Sequence, residues 1–325
     1  MQIDDTIRGF WQELEVDTSA LDVWRIYCDY LQEVEHDQAE TTRLWVEDRY
    51  SKISTESQQR LRANLKQGLR PLLPRRTNSI GTELVLVPKG TFWMSEDDEN
   101  AQKQAVIARD FYMAIYPVTQ GEWEAVMGDN PSFFSRSGGG AGDVKDISDE
   151  GLLRFPVEKV SWDEVQEFLK RLNKREEKSG LLFRLPIGSE WEYGCRSGLT
   201  SKQDCSFDFY LSEPTNDLSS DQANFHGNYP AGQATKSKYL ERPTVVGSYE
   251  PNGLSIYDMH GNMCEWCQDW YEEGSFRVVR GGSWGDYGQS CRAANRLWSG
   301  PSRRVNFLGF RLACSPIGES SQASS

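Results

Sequence analysis

The sequence predicts an α+β chain: a small helical N-terminal region over residues 1–78, one large loop-rich domain over 79–316, and a disordered tail over 317–325. Two observations carry this division. Apolar residues recur at three- and four-residue spacing before residue 72 and only in short runs after it. Glycine, scarce at the start, becomes frequent beyond residue 80, together with Trp, Tyr and Pro.

Three helices are expected in the first region. In "IDDTIRGFWQELEV" the residues Ile3, Ile7, Phe10, Trp11 and Leu14 share a face, with Asp4 and Asp5 where a helix start favours acid. "TSALDVWRIYCDYLQEVE" aligns Leu21, Trp24, Tyr27, Cys28 and Leu31, and "STESQQRLRANLKQGLRPLL" opens on a Ser/Thr cap and stops at Pro71. This pattern suits a three-helix antiparallel bundle or an arm docked on the main domain. "PLLPRRTNSIGTE" reads as a linker.

Further on, "ELVLVPKGTFWM" predicts a strand pair around Pro88–Gly90. "TQGEWEAVMG" predicts a short helix capped by Thr119 and closed at Gly128. "SWDEVQEFLKRLNKREEKSG" predicts a longer one, with Ser161 and Glu164 as a capping box and Gly180 at its end. "FRLPIGSEWEYGCRSG" supplies a strand, a turn and a third short helix from Ser189. Residues 199 to 250 are polar and aperiodic, and "FRVVRGGSW" and "NFLGFRLAC" each offer a strand. "GGGAGD" at 138–143 lacks the Lys-Ser/Thr ending of a phosphate loop and reads as a flexible surface loop.

A net charge of −13 argues against nucleic acid and anionic membranes as partners, because phosphate affinity needs clustered Lys and Arg. The first residues show no basic, apolar leader and no stretch reaches the roughly 20 apolar residues of a membrane span, so a cytoplasmic protein is expected. Seven cysteines in such a chain read as free, mostly buried thiols. Cys264-x-x-Cys267 would need two further ligands to hold zinc, and no second Cys or His pair accompanies it; the alternative is two thiols packed among Trp266, Trp270 and Trp284. Arg277, Arg280, Arg292, Arg296 and Arg311 alternate with aromatics and are expected in planar stacks and bidentate pairs, whereas Arg303–Arg304 reads as a solvated pair.

Six blocks, "FYMAIYPVTQGEWEAVMG", "PVEKVSWDEVQEFLKRLN", "FRLPIGSEWEYGCRSG", "GNMCEWCQDWY", "RVVRGGSW" and "NFLGFRLA", come in this order. Together they resemble the sulfatase-modifying-factor, or formylglycine-generating-enzyme-like, family over roughly residues 80 to 315. The resemblance implies a C-type-lectin-like fold. It does not by itself imply an activity, since one fold hosts several functions.

The oxidase branch of that family binds Cu(I) through two cysteines in the loop after "RGGS". Here the loop "RGGSWGDYGQSCRAANR" holds only Cys291, and one thiolate cannot supply that site. Another branch needs a three-histidine iron site; this chain has only His36, His226 and His260, and His260 reads as a turn residue beside Gly261. No copper or iron is therefore expected. The family's structural Ca²⁺ sites map onto Asn262 and Glu265 and, in a second loop, onto Asn224, with hydrogen bonding of a tight turn as the alternative role. The neighbouring "WCQDW" could also place Asp269 toward solvent.

What remains is binding. The loops between framework blocks carry Asp286, Tyr287, Gln289, Leu297, Trp298, Arg303, Val305, Asn306 and Phe307, a candidate face for a protein ligand; Trp298 and Phe307 could instead cover the core. The layout is similar to the variable proteins of diversity-generating retroelements. The expected function is a non-catalytic ligand- or protein-binding module with its face at 285–307 and with the helical N-terminus engaging a partner protein; the alternative is an oxidase modifying a protein side chain.

Overall fold

In the computed structural model, residues 3–51, 53–95 and 102–317 are described. The tail expected to be disordered lies, apart from residue 317, outside them. Four helices open the chain rather than three: α1 (Asp5–Val16), α2 (Leu21–Glu33), α3 (Ala39–Tyr50) and α4 (Thr55–Lys66). Asp4 and Ser54 cap α1 and α4 with their side chains. The overlooked helix, α3, buries Thr41, Thr42, Leu44, Trp45 and Val46, which encircle more than one face. Such a helix carries no clean apolar stripe to be read from sequence.

The segment expected to be a linker is built in. Leu72 and Leu73 are buried, and β1 (Arg75–Thr77) pairs antiparallel with β2 (Glu83–Val87). The predicted strand pair around Pro88–Gly90 exists as two strands that do not pair with each other. β2 joins one sheet, while β3 (Gly90–Ser95) forms a hairpin with β4 (Gln102–Ile107). Then come β5 (Phe111–Ala114), α5 (Gln120–Met127), α6 (Asp149–Leu153), α7 (Trp162–Arg175), β6 (Leu181–Arg184) and α8 (Gly188–Cys195). The capping boxes Thr119/Glu122 and Ser161/Glu164 start α5 and α7. Gly128 closes α5 in the left-handed conformation, but α7 ends at Arg175, ahead of Gly180.

A short hairpin of β7 (Phe209–Tyr210) and β8 (Pro214–Thr215) interrupts the long loop region. The chain ends in β9 (Cys264–Glu272), β10 (Phe276–Arg280), β11 (Leu297–Ser299), β12 (Leu308–Phe310) and β13 (Ala313–Pro316). One sheet has the order β1-β2-β5-β13-β6 and a second the order β11-β10-β9-β12, in which β12 runs parallel to β9. The N-terminal helices share a core with the first sheet: Trp11, Trp24, Tyr27 and Trp45 belong to the same apolar cluster as Val85, Phe92, Met113 and Trp191. Their apolar faces are thereby covered. Arg49 of α3 ties the two regions together by donating to the carbonyls of Pro88 and Gly198 at 2.8 and 3.0 Å and to the Tyr193 hydroxyl at 2.6 Å. The glycine run at 138–143 is packed rather than loose. Gly140 N–H donates to Phe133 O, a Cβ on Gly139 would fall 2.6 Å from the Phe133 ring, and Val144 behind it is buried.

Candidate functional site

The site is founded on β9, whose alternation sends Cys264 and Trp266 into one core cluster and Cys267 into the other. Between them Glu265 is fully buried. Arg311 grips it with two hydrogen bonds of 2.8 Å, and Trp191 Nε1 donates to it at 2.7 Å. The remaining Arg311 donors reach the carbonyls of Ala114 and Tyr257, both at 2.9 Å. A second buried network centres on Glu192, which pairs with both Arg196 and Arg280. Arg277 lies between Trp162 and Trp270, 3.7 and 3.3 Å from their ring centres, the stack expected from sequence. Arg303 and Arg304 are both exposed, and Arg304 in addition pairs with Glu164 at 2.7 Å. Asp269 accepts from Gly188 N–H at 2.7 Å, at the start of α8, rather than standing free in solvent.

These contacts decide how the calcium expectation fits. Asn224 Nδ2 donates to Asn262 Oδ1 at 3.2 Å and to Arg242 O at 2.9 Å, and Asn262 Oδ1 also accepts Thr244 N–H at 2.9 Å. Asn262 holds the turn with φ of 63°. The two amides thus meet each other, while the Glu265 carboxylate is committed to a guanidinium. A divalent cation at Asn262 and Glu265 would have to displace Arg311 from the carboxylate, and Asn224, expected at a separate site, meets Asn262 through its amide. The turn-bracing role is the one the contacts describe. Among the described residues no group of three or more His, Cys, Asp or Glu is arranged to hold a metal ion.

The thiols are buried throughout. Burial pushes Cys264, Cys267 and Cys291 well above the ordinary thiol range, with Asp286 nearby adding to the rise for Cys264 and Cys291. Cys291 Sγ lies 3.6 Å from Tyr287 O and packs with Phe209, Leu218 and Phe225. His260 is not a simple turn residue. Its ring is buried, bonded through Nδ1 to Cys291 O at 2.7 Å, and accepts Tyr210 N–H at Nε2 at 2.8 Å, with Cys195 Sγ 3.6 Å away. Burial drops its pKa to about 4 and raises that of Cys195 to about 12. This pair is therefore neutral thiol and neutral imidazole at pH 7, the opposite of an activated nucleophile.

Above this foundation lies the loop face. Gly281 and Gly282 both have positive φ, and a Cβ on Gly282 would sit 2.7 Å from Cys291 Sγ, so the "RGG" turn needs glycine to bring the loop against the framework. Tyr287 is 53% exposed, with its ring 4.2 Å from that of Tyr229. His226 adjoins both and stacks at 3.8 Å on Tyr239. Phe307 is exposed, and Trp284 beside it donates to Asn306 O at 3.1 Å. Trp298, 51% exposed, packs on a different set of rings, Phe276 at 4.3 Å and Tyr271 at 6.3 Å. Gln289 and Arg303 are exposed. Leu297 and Val305 turn toward the core, and Asp286 is held by the Ser283 hydroxyl at 2.6 Å. His226, Tyr229 and Tyr239 escaped the sequence reading because they come from the aperiodic stretch, where only their aromatic content marked them.

With this arrangement in view, comparison with known proteins is informative. Residues 70–316 match the model of the sulfatase-modifying factor enzyme 1-like domain. The chain belongs to this family. The match begins before residue 79 and includes β1, while α1 to α4 precede it. Chaperone protein LppX of Paenibacillus barcinonensis is 29% identical over 63% of this chain and 80% of its own length. The formylglycine-generating enzyme of Mus musculus is 27% identical over 68% of this chain, which spans 55% of it. The chain spans only 38% of longer relatives such as the Chlamydia pneumoniae serine/threonine-protein kinase pkn1. Among solved structures, Treponema denticola variable protein 1 superposes with a TM-score of 0.59 at 23% identity, covering 76% of this chain and all of that one, a likeness of fold. Among the described residues no helix is long and apolar enough to cross a membrane.

Proposed function

We propose that this chain is a non-catalytic binding module that presents a loop face to a protein ligand. One contrast supports the reading. The buried charges Glu265, Glu192, Arg280 and Arg311 are spent on one another, whereas Tyr287 and Phe307 stand exposed on loops and Trp298 on the short edge strand β11 that this framework carries. Rigid aromatic side chains lose little freedom on contact and make effective anchors. Gln289 and Arg303 supply adaptable polar contacts around them. Retroelement-type diversification of this segment is part of the proposal. Its test is in the neighbouring DNA, where a near-copy of the segment encoding 277–311 should lie beside a reverse transcriptase gene.

The competing reading is an oxidase that modifies a protein side chain, favoured by the family and by its formylglycine-generating members. The two separate in one measurement. The full chain incubated with Cu(I), oxygen and a cysteine-containing peptide should consume no oxygen above background, and Cys291→Ala should behave identically. Copper-dependent oxygen uptake abolished by Cys291→Ala would replace the binding reading with the enzymatic one.

A further inference from the structure

A second candidate site lies away from the loop face, in the cleft where α3 and α4 meet the family domain. One wall is Trp45 and Asp48 of α3 with Leu61 of α4; the other is Leu199, Leu211 and Pro214. The cleft opens to solvent and has a cavity volume of about 80 Å³, room for one small group with the rest of a ligand lying along the rim, and it sits at a junction between two structural units, where small-molecule sites are favoured. The helical wall precedes residue 70, outside the stretch that matches the family, so this cleft is not supplied by the family domain alone.

Its charges are unevenly satisfied. Arg62 is paired with Asp204 at 2.9 Å, and Asp204 also accepts the Ser201 hydroxyl at 2.6 Å. Arg49 is engaged with carbonyls and the Tyr193 hydroxyl, which fixes the back of the cleft. Asp48 is different. It is half-buried, makes no ion pair among the described residues, and has as its hydrogen-bond partner only the Gln58 amide at a long 3.4 Å. Desolvation raises its pKa, the Gln58 amide pulls it partly back, and smaller effects of the Asp204 and Arg62 charges act up and down respectively. A desolvated carboxylate without a cation is unfavourable, and an ammonium group entering the cleft would relieve it. The surrounding Trp45, Leu61, Leu199, Leu211 and Pro214 surfaces would bury the apolar part of the same molecule.

We infer that the cleft between α3–α4 and the 197–214 loops binds a small organic ammonium compound with an apolar body, its ammonium group on Asp48. The ammonium can come from a free amine or from the α-amino group of an apolar amino acid, and the test separates them. Titration calorimetry and thermal shift on the full chain would use 2-phenylethylamine and L-phenylalanine, with 3-phenylpropionate as the probe that lacks the ammonium. Saturable one-to-one binding of 2-phenylethylamine is expected, weakened by about tenfold or more in Asp48→Asn and lost in Ser212→Trp, which fills the rim without entering the core. Binding of L-phenylalanine with the same Asp48 dependence identifies an amino acid as the natural class; binding of the amine alone identifies a free amine. Failure of both probes at millimolar concentration, equal binding of 3-phenylpropionate, or unchanged affinity in Asp48→Asn overturns the inference. None of these outcomes bears on the loop face.

Discussion

Glu265 and Tyr287 sit 22 positions apart in the same family domain and live under opposite rules. Around Glu265 every strong polar group has a protein partner: Arg311 on the carboxylate, Trp191 behind it, and the carbonyls of Ala114 and Tyr257 on the remaining guanidinium donors. Around Tyr287 the neighbours are other rings, Tyr229 among them exposed, and the loop is positioned by hydrogen bonds on its backbone and on Asp286, as from His226 N–H to Asp286 O at 2.8 Å and from the Ser283 hydroxyl to the Asp286 carboxylate at 2.6 Å. The difference teaches that the richest concentration of charged and sulfur-bearing residues in the sequence is structural, because its groups are consumed in holding the fold. The surface left free for work is the chemically plainer one. The N-terminal region repeats the lesson: its tryptophans are covered by the common core and its working candidate is a carboxylate, Asp48, that makes no ion pair among the described residues.

The sharpest way to break this comparison is to remove one partner of the buried pair. Glu265→Ala should destabilise the chain by about 3–5 kcal/mol, since it strands Arg311 in the interior, and denaturant unfolding would measure it. A near-neutral result would mean that the "EW" block is not the framework described.

Next in size is a pH effect beneath the loop face. Glu158 is fully buried; its Oε1 accepts Phe134 N–H at 2.8 Å, Oε2 has no protein partner, and Lys159 is the one charged neighbour that pulls its pKa down. Burial dominates and raises its pKa from 4.5 to about 7. In that window the folded chain holds a proton that the unfolded chain has lost, so stability declines as pH rises from about 4.5 to about 7, by about 3 kcal/mol for this group. Glu158→Gln should remove that decline. His260, neutral in the fold, contributes the opposite slope, losing stability as pH falls from 6.5 to about 4, so the difference between wild type and variant isolates Glu158.

A smaller effect on stability sharpens the contrast from the other side. Tyr287→Ala and Phe307→Ala should shift unfolding by no more than about 1 kcal/mol, because both rings are already in contact with water. The same two changes should abolish capture of a protein ligand once one is in hand. A loss of several kcal/mol would assign these rings to the core. Smallest of all, EDTA or millimolar Ca²⁺ should leave the melting temperature unmoved, because Glu265 is committed to Arg311. A calcium-dependent rise would show that a different donor set exists.

Much of the fold was legible. The Thr119 cap and the Ser161–Glu164 capping box act over three residues and need no distant partner, so they survive as read, with Glu122 completing a box at Thr119 as well. So do the amphipathic α1 and α2 and the order of the family blocks. What was lost depended on partners far along the chain. Helix α3 buries residues on several faces because it lies between other helices and the body, β1 is a strand only because β2 lies beside it, and β2 and β3 are adjacent in sequence yet belong to separate sheets.

By itself, then, the amino-acid sequence determined the α+β class, the family domain and the lone cysteine in the "RGGS" loop, since local propensity, glycine turns and residue identity are written residue by residue. Only the tertiary structure decided that Glu265 belongs to Arg311, that His226, Tyr229 and Tyr239 gather beside Tyr287, and that Asp48 lines a cleft in which Arg62 is taken by Asp204. Those outcomes are set by which groups reach one another when water leaves, and packing between segments distant in the chain decides the partner, as for Glu265 and Arg311, 46 residues apart.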